Sequence, residues 1–227
     1  MRRPGQPRFP IAIVFILMTT VQIAAQEAPA TPVSPFAGPA ATPVGDFGAN
    51  VWEEVDVLPE GSKGQNLGWD LVEGWGCYPE EQTTCDAVGV PPVAEYQHGE
   101  DGCAVMAIGV VRGTGAPSLK GLSFNSDFCT GKVWGLAREE GGSWQYQELL
   151  DTTLQATGGG EDEAGALYPT SCQCSYDRDV DPFASPGGTL WRIVAAGQVP
   201  AGASVAPREP TIGPAANPSS DRRLSAV

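Results

Sequence analysis

Short apolar runs broken by glycine-rich turns fill the middle of this chain, and no stretch repeats its apolar residues at the spacing of a long helix. Residues 104–111 are almost continuously apolar, as expected of a strand buried on both faces. From Trp144 to Glu148 aromatic and polar residues alternate, the period of a half-buried strand. Residues 122–128, 132–137, 166–170 and 189–194 read as further short strands, with residues 51–58 as a forerunner. Gly141-Gly142 marks a hairpin between two of them. Strand starts roughly ten residues apart suit a meander, so the predicted fold class is all-β.

The flanks have a different character. Arg2, Arg3 and Arg8 precede a largely apolar run over residues 11–23, and Ala24-Ala25 offers small residues for cleavage. Residues 1–25 therefore read as a secretory signal, its apolar core short for a membrane span because Thr19, Thr20 and Gln22 interrupt it, with an uncleaved anchor as the alternative. Residues 26–45 are Ala, Pro and Thr-rich and read as a disordered tether, and residues 196–227 as a disordered Pro/Ala-rich tail. The patterned core is residues 46–195.

Charge and cysteines narrow the setting. The chain carries 27 acidic and 13 basic residues, and loss of the three signal arginines would take the formal charge from −14 to −17. Such acidity opposes binding to nucleic acid or anionic lipid, which requires basic patches. All six cysteines follow the signal, which fits an oxidising, extracytoplasmic compartment, whether periplasm, cell surface or medium. Cys77 and Cys85 bracket a polar loop and read as a local staple, while Cys103 and Cys129 stand beside two strands that they could bridge. Cys172 and Cys174 could form a tight disulfide, a soft-metal ligand pair or two thiols.

Few residues offer chemistry. His98, the only histidine, lies in a glycine-flanked loop beside Glu100 and Asp101, where a carboxylate could polarise it as a general base. The plainer reading, that of a loop histidine without a role, is preferred. Asp177, Asp179 and Asp181 alternate as in oxygen-rich calcium loops, but Pro182-Phe183 replaces the glycine such a loop needs, so a solvated acidic loop is preferred. Glu161-Asp162-Glu163 reads as a hairpin turn, with the glycines before it a flexible lead. The six tryptophans read as packing residues.

A longer pattern emerges when the motifs are taken in order. Gly68-Trp69, Glu73-Gly74, Cys77-Tyr78, Pro92 to Tyr96 with His98, and Gly102-Cys103 come first. Arg112-Gly113, Pro117-x-Leu119-x-Gly121 and Asp127-Phe128-Cys129-x-Gly131-x-x-Trp134 follow. Gly160-Glu161-Asp162, Gly165-x-Leu167-Tyr168 and Gly188 to Ile193 complete the series. In this order they resemble the C-terminal portion of the glucose/sorbosone dehydrogenase family. That resemblance implies a partial β-propeller, about two blades of a six-bladed ring, with pyrroloquinoline quinone and calcium as the family's cofactors. It also implies that the catalytic histidine of quinone-dependent members belongs to an early blade with no counterpart here. Where those members carry an Arg-x-Arg-Asp segment for the quinone's carboxylates, this chain reads Leu154 to Gly159. Arg112 is the weak candidate for a cofactor contact, although an arginine closing a strand is the simpler reading.

The resulting expectation is a secreted fragment of a sugar-dehydrogenase-like propeller, without independent catalysis and without a cofactor of its own. One alternative is a split dehydrogenase completed by a chain supplying the missing blades. Another is an extracellular module that holds a sugar, glycan or protein at its edge. Uncovered blade faces would favour self-association.

Overall fold

The computed structural model describes residues 13–17, 41–85, 88–99, 101–114, 116–139, 142–174, 187–195, 198–201 and 203–205. Among these the chain is all-β, with one short 3-10 turn at Pro117–Leu119. The first sheet pairs β2 (Thr42–Phe47), β3 (Trp52–Leu58) and β6 (Ala94–Gln97), all antiparallel. Between β3 and β6 lies a small ribbon of β4 (Val72–Glu73) and β5 (Gly76–Cys77). The second sheet is the expected meander: β7 (Val105–Val110), β8 (Ser123–Asp127), β9 (Lys132–Arg138) and β10 (Trp144–Asp151) pair in chain order. The third contains β11 (Gln155–Glu161), β12 (Leu167–Cys172) and β13 (Gly188–Ala195). Its far side is completed by β1 (Ile13–Leu17) and β14 (Ser204–Val205).

Register explains why the sheets stack. Ala107, Asn125, Trp134 and Glu148 are paired across the second sheet, so Val105, Leu136 and Tyr146 share their face. That face packs on Val55, Ala94 and Tyr96 of the first sheet. The opposite face presents Ile108, Phe124, Val133 and Ala137 to Leu167, Trp191 and Ile193 of the third. Each fully buried side chain of this size contributes roughly 1.5 to 3 kcal/mol, so the second sheet, covered on both sides, anchors the fold.

Several elements depart from the sequence reading. β2 takes in residues 42–45, assigned above to the tether, because their backbone pairs with β3 from Thr42 opposite Leu58 onward. β1 lies within the segment read as a signal and pairs with β13, Ile13 opposite Ala195 and Leu17 opposite Trp191. The glycines at 158–160 are strand rather than a flexible lead, pairing with Pro169, Thr170 and Tyr168 of β12. A Cβ at Gly159 would lie 2.7 Å from the Ile108 carbonyl, so β11 reaches β7 only with a glycine there. In β7, Ala107 is exposed and Met106 half-buried, so this strand is not covered on both faces along its whole length.

Three disulfides join Cys77 to Cys85, Cys103 to Cys129 and Cys172 to Cys174, with Cα–Cα distances of 5.6, 5.7 and 5.3 Å. The first two are the pairs suggested by the sequence, and the third settles the open Cys-x-Cys alternatives in favour of a disulfide.

Candidate functional site

Acidic residues of β2, β3, β6 and β8 meet where the first two sheets join, in two groups on opposite faces of β3. Alternation along Trp52-Glu53-Glu54-Val55-Asp56 sends Glu53 and Val55 toward the second sheet and Glu54 and Asp56 away from it.

On the inner side, Glu53 is fully buried. One carboxylate oxygen contacts His98 Nε2, and the other accepts the Val105 N–H at 2.6 Å. Burial raises the Glu53 pKa in spite of both partners. His98 is anchored in turn by its own N–H, which donates to the Val51 carbonyl at 2.8 Å. The carboxylate beside His98 thus comes from β3, not from Glu100 or Asp101. Glu100 lies outside the described residues, and Asp101 pairs with Lys132 at 2.8 Å. A carboxylate on Nε2 fixes the imidazole's tautomer and orientation, the arrangement a general base needs, but here the same carboxylate also ties β3 to β7.

Asp127, also fully buried, is the denser hub. Its Oδ2 accepts from Tyr96 Oη at 3.0 Å and from the N–H groups of Cys103 and Ala104 at 2.7 and 2.8 Å. Its Oδ1 accepts from the N–H groups of Cys129 and Thr130, each at 2.8 Å, and from Thr130 Oγ1 at 3.0 Å. One carboxylate therefore closes the turn after β8 and docks the segment before β7, with the Cys103–Cys129 disulfide beside it. Gly102 is required there, since a Cβ would fall 2.2 Å from Asp127 Oδ2. Above the hub Tyr96, Trp134 and Tyr146 stack, with centroids 4.7 and 5.9 Å apart.

Glu73 performs a similar task at the loop before β3. Its Oε1 accepts from the N–H groups of Asn50, Val51 and Trp52 at 3.0, 2.9 and 3.1 Å. Burial alone would raise its pKa, but these donors outweigh burial and hold it below the usual carboxylate range.

On the outer side the pairing differs. Asp46, Glu54 and Glu95 stand directly opposite one another across β2, β3 and β6, with Asp56 one pleat along. Glu54 accepts the Gly74 N–H, and Glu95 accepts the Trp75 N–H at 2.8 Å. Asp56 is fully buried, and neither of its carboxylate oxygens has a hydrogen-bond partner among the described residues. Burial, reinforced by Asp56, Asp46 and Glu95, pushes Glu54 up to about 8, and burial with Asp46 raises Asp56 to about 7.

No family model matches the chain. Over 67% of its length the chain is similar to the crystal structure of the soluble aldose sugar dehydrogenase from Escherichia coli in the apo-form, at 19% identity and a TM-score of 0.46. Over 70% it is similar to a glucose dehydrogenase, at 18% identity and the same TM-score. The chain spans 41% of the length of each.

The remaining candidates are placed as follows. Arg112 lies two residues after the end of β7 and donates to the Ala41 carbonyl at 3.1 Å. Residues 155–159, where paired arginines would face a quinone, belong to β11, and the guanidinium of Arg138 lies 5.7 Å over the Trp144 ring. These residues do not fit a quinone's carboxylates. Asp177, Asp179 and Asp181 lie outside the described residues. Cys103, Asp127 and Cys129 cluster at metal-ligand distances, but the disulfide removes both thiolates. Trp69 contradicts the expectation that all tryptophans pack inside: it is 58% exposed and tilted against Tyr78 at 4.6 Å. Among the described residues no helix is long and apolar enough to cross a membrane.

Proposed function

We propose that this chain is an extracytoplasmic, disulfide-bonded portion of a sugar-dehydrogenase-like propeller that does not oxidise sugars on its own. The observation that carries this reading is the commitment of the buried carboxylates of Glu53, Glu73 and Asp127 to the backbone. Glu53 binds Val105, Glu73 binds three successive N–H groups, and Asp127 accepts six hydrogen bonds. All three are buried and spend at least one oxygen on backbone donors, so they hold loops in place of facing a substrate. The lack of a guanidinium pair at β11 supports the same reading. Three disulfides support an oxidising compartment.

Purified chain given pyrroloquinoline quinone, calcium and an artificial electron acceptor is expected to show no turnover of glucose or other aldoses. Turnover by this chain that disappears in His98→Ala would overturn the reading and make the Glu53–His98 pair catalytic. Turnover that appears only on adding a second polypeptide would replace it with the split enzyme.

A second reading, a module that holds a glycan, is favoured by the exposed aromatic loop. Trp69, 58% exposed, adjoins Tyr78, whose hydroxyl accepts from Asn50 Nδ2 at 3.0 Å. An exposed ring beside amide and hydroxyl groups is the chemistry that stacks on a sugar face and hydrogen-bonds its rim. Soluble oligosaccharides should then change tryptophan fluorescence in the intact chain and not in Trp69→Ala. The same response in both would remove this reading.

A further inference from the structure

The three disulfides fasten very different lengths of chain. Cys103 and Cys129, 26 positions apart, bridge the segment before β7 to the turn after β8, and Cys77 and Cys85 are 8 positions apart. Cys172 and Cys174 are only 2 apart. A disulfide constrains the unfolded chain less the shorter the loop it closes, so this bond contributes least to the fold. It also joins no two elements: Cys172 is the last residue of β12, and Cys174 follows it in the same segment.

This end of β12 is held without the bond. Cys172 is paired with Gln155 of β11 on one side and with Gly188 of β13 on the other. The Cys174 N–H donates to Gln155 Oε1 at 2.9 Å. Next to them Ser171 Oγ and Thr189 Oγ1 are hydrogen-bonded at 2.6 Å, and Trp191 Nε1 donates to Ser171 Oγ at 3.0 Å. The Cys103–Cys129 pair is the contrast, because both of its N–H groups donate to Asp127, and that hub keeps the two sulfurs together even when reduced. By linkage, a bond that stabilises the fold strongly is held closed by it, and one that adds little is left to exchange. Access is open as well: Cys172 and Cys174 are half-buried, and Gln173 between them is exposed.

We propose that Cys172–Cys174 is a thiol–disulfide exchange site that oxidises dithiols, its substrate class being a peptide or protein with two neighbouring cysteines. A substrate thiolate attacks Cys174 Sγ, which lies past the end of β12. The Cys172–Cys174 bond breaks as the mixed disulfide forms, and Cys172 leaves as the thiolate. The substrate's second thiolate then attacks its own sulfur in the mixed disulfide, which closes the substrate disulfide and releases Cys174 as the thiolate. Two electrons pass from substrate to chain, and the two protons of the substrate thiols end on Cys172 and Cys174. This chemistry is independent of sugar oxidation and uses the chain's own disulfide as the oxidant.

The test equilibrates the intact, oxidised chain with increasing ratios of reduced to oxidised glutathione, alkylates the free thiols and maps them by mass spectrometry. Cys172 and Cys174 should open at a thiol excess on the order of tenfold or more below that needed for either other pair. Mixed with a synthetic peptide carrying two cysteines, the chain should oxidise up to one equivalent of peptide, and a Cys172→Ala/Cys174→Ala variant should lose that oxidation. The same variant should melt close to the parent temperature, as expected of a bond that is not a structural staple. Opening of Cys172–Cys174 only together with the other pairs would overturn the proposal. So would a parent chain that leaves the peptide reduced, undiminished peptide oxidation by the double variant, or a double variant that melts far below the parent or fails to fold.

Discussion

Asp127→Ala is expected to destabilise the oxidised chain by roughly 3 to 5 kcal/mol, the upper range for single substitutions. The change removes the acceptor for Tyr96 Oη, for four backbone N–H groups and for Thr130 Oγ1. Those donors sit between packed sheets and would be left without partners. Urea denaturation against the parent chain checks the magnitude. Asp127→Asn preserves shape and one acceptor oxygen but turns the other into a donor facing donors, so it should fall between the two. A loss below about 1 kcal/mol for Asp127→Ala would mean that water replaces the carboxylate without penalty.

Stability in cation-free, EDTA-containing buffer is expected to fall as pH rises from 5 to 8.5. Asp56 and Glu54 are raised from 3.8 to about 7 and from 4.5 to about 8, so the folded chain binds their protons more tightly than the unfolded chain does. Their contribution is therefore complete below the unfolded values and is lost as pH climbs through the folded ones. The charged groups that reinforce these shifts, Asp46 on β2 and Glu95 on β6, are acidic as well. Glu73 works in the opposite direction and in another window: its lowered pKa contributes stability above its unfolded value, which is lost on further acidification. Together they place the optimum on the acid side of neutrality, with a loss of several kcal/mol by pH 8.5. Asp56→Asn should flatten the slope. A parent chain that grows steadily more stable between pH 5 and 8 would contradict the burial of these groups.

The second sheet was legible because its strands alternate or run apolar between turn residues, the pattern that backbone geometry imposes on a buried sheet. β2 and β11 were not. Thr42 to Gly45 and Gly158 to Gly160 lack bulky side chains, and their pairing is set by neighbours distant in sequence: β3 for one, and β12 with the crowding of Ile108 for the other. His98 could be singled out by composition alone, yet its partner Glu53 is 45 residues away and looked like one acid among several. The one available clue was the period-two placement of Glu53 and Val55, which puts a charged residue on an apolar face. Asp127 could be placed in a motif, but its role depends on donors that only the turn geometry brings together.

The acidity read from composition has two populations with different fates. Glu53, Glu54, Asp56, Glu73, Glu95 and Asp127 lie at 7% exposure or less, so they add little to the field that solvent experiences. Colloidal repulsion between molecules comes from the remainder, spread over loops such as Glu80-Glu81 and Asp162-Glu163. Salt would screen that outer layer within about 8 Å at physiological strength and barely touch the inner one. Solubility and folding in this chain are therefore governed by separate sets of carboxylates, and salt that screens the outer one leaves the inner one in place.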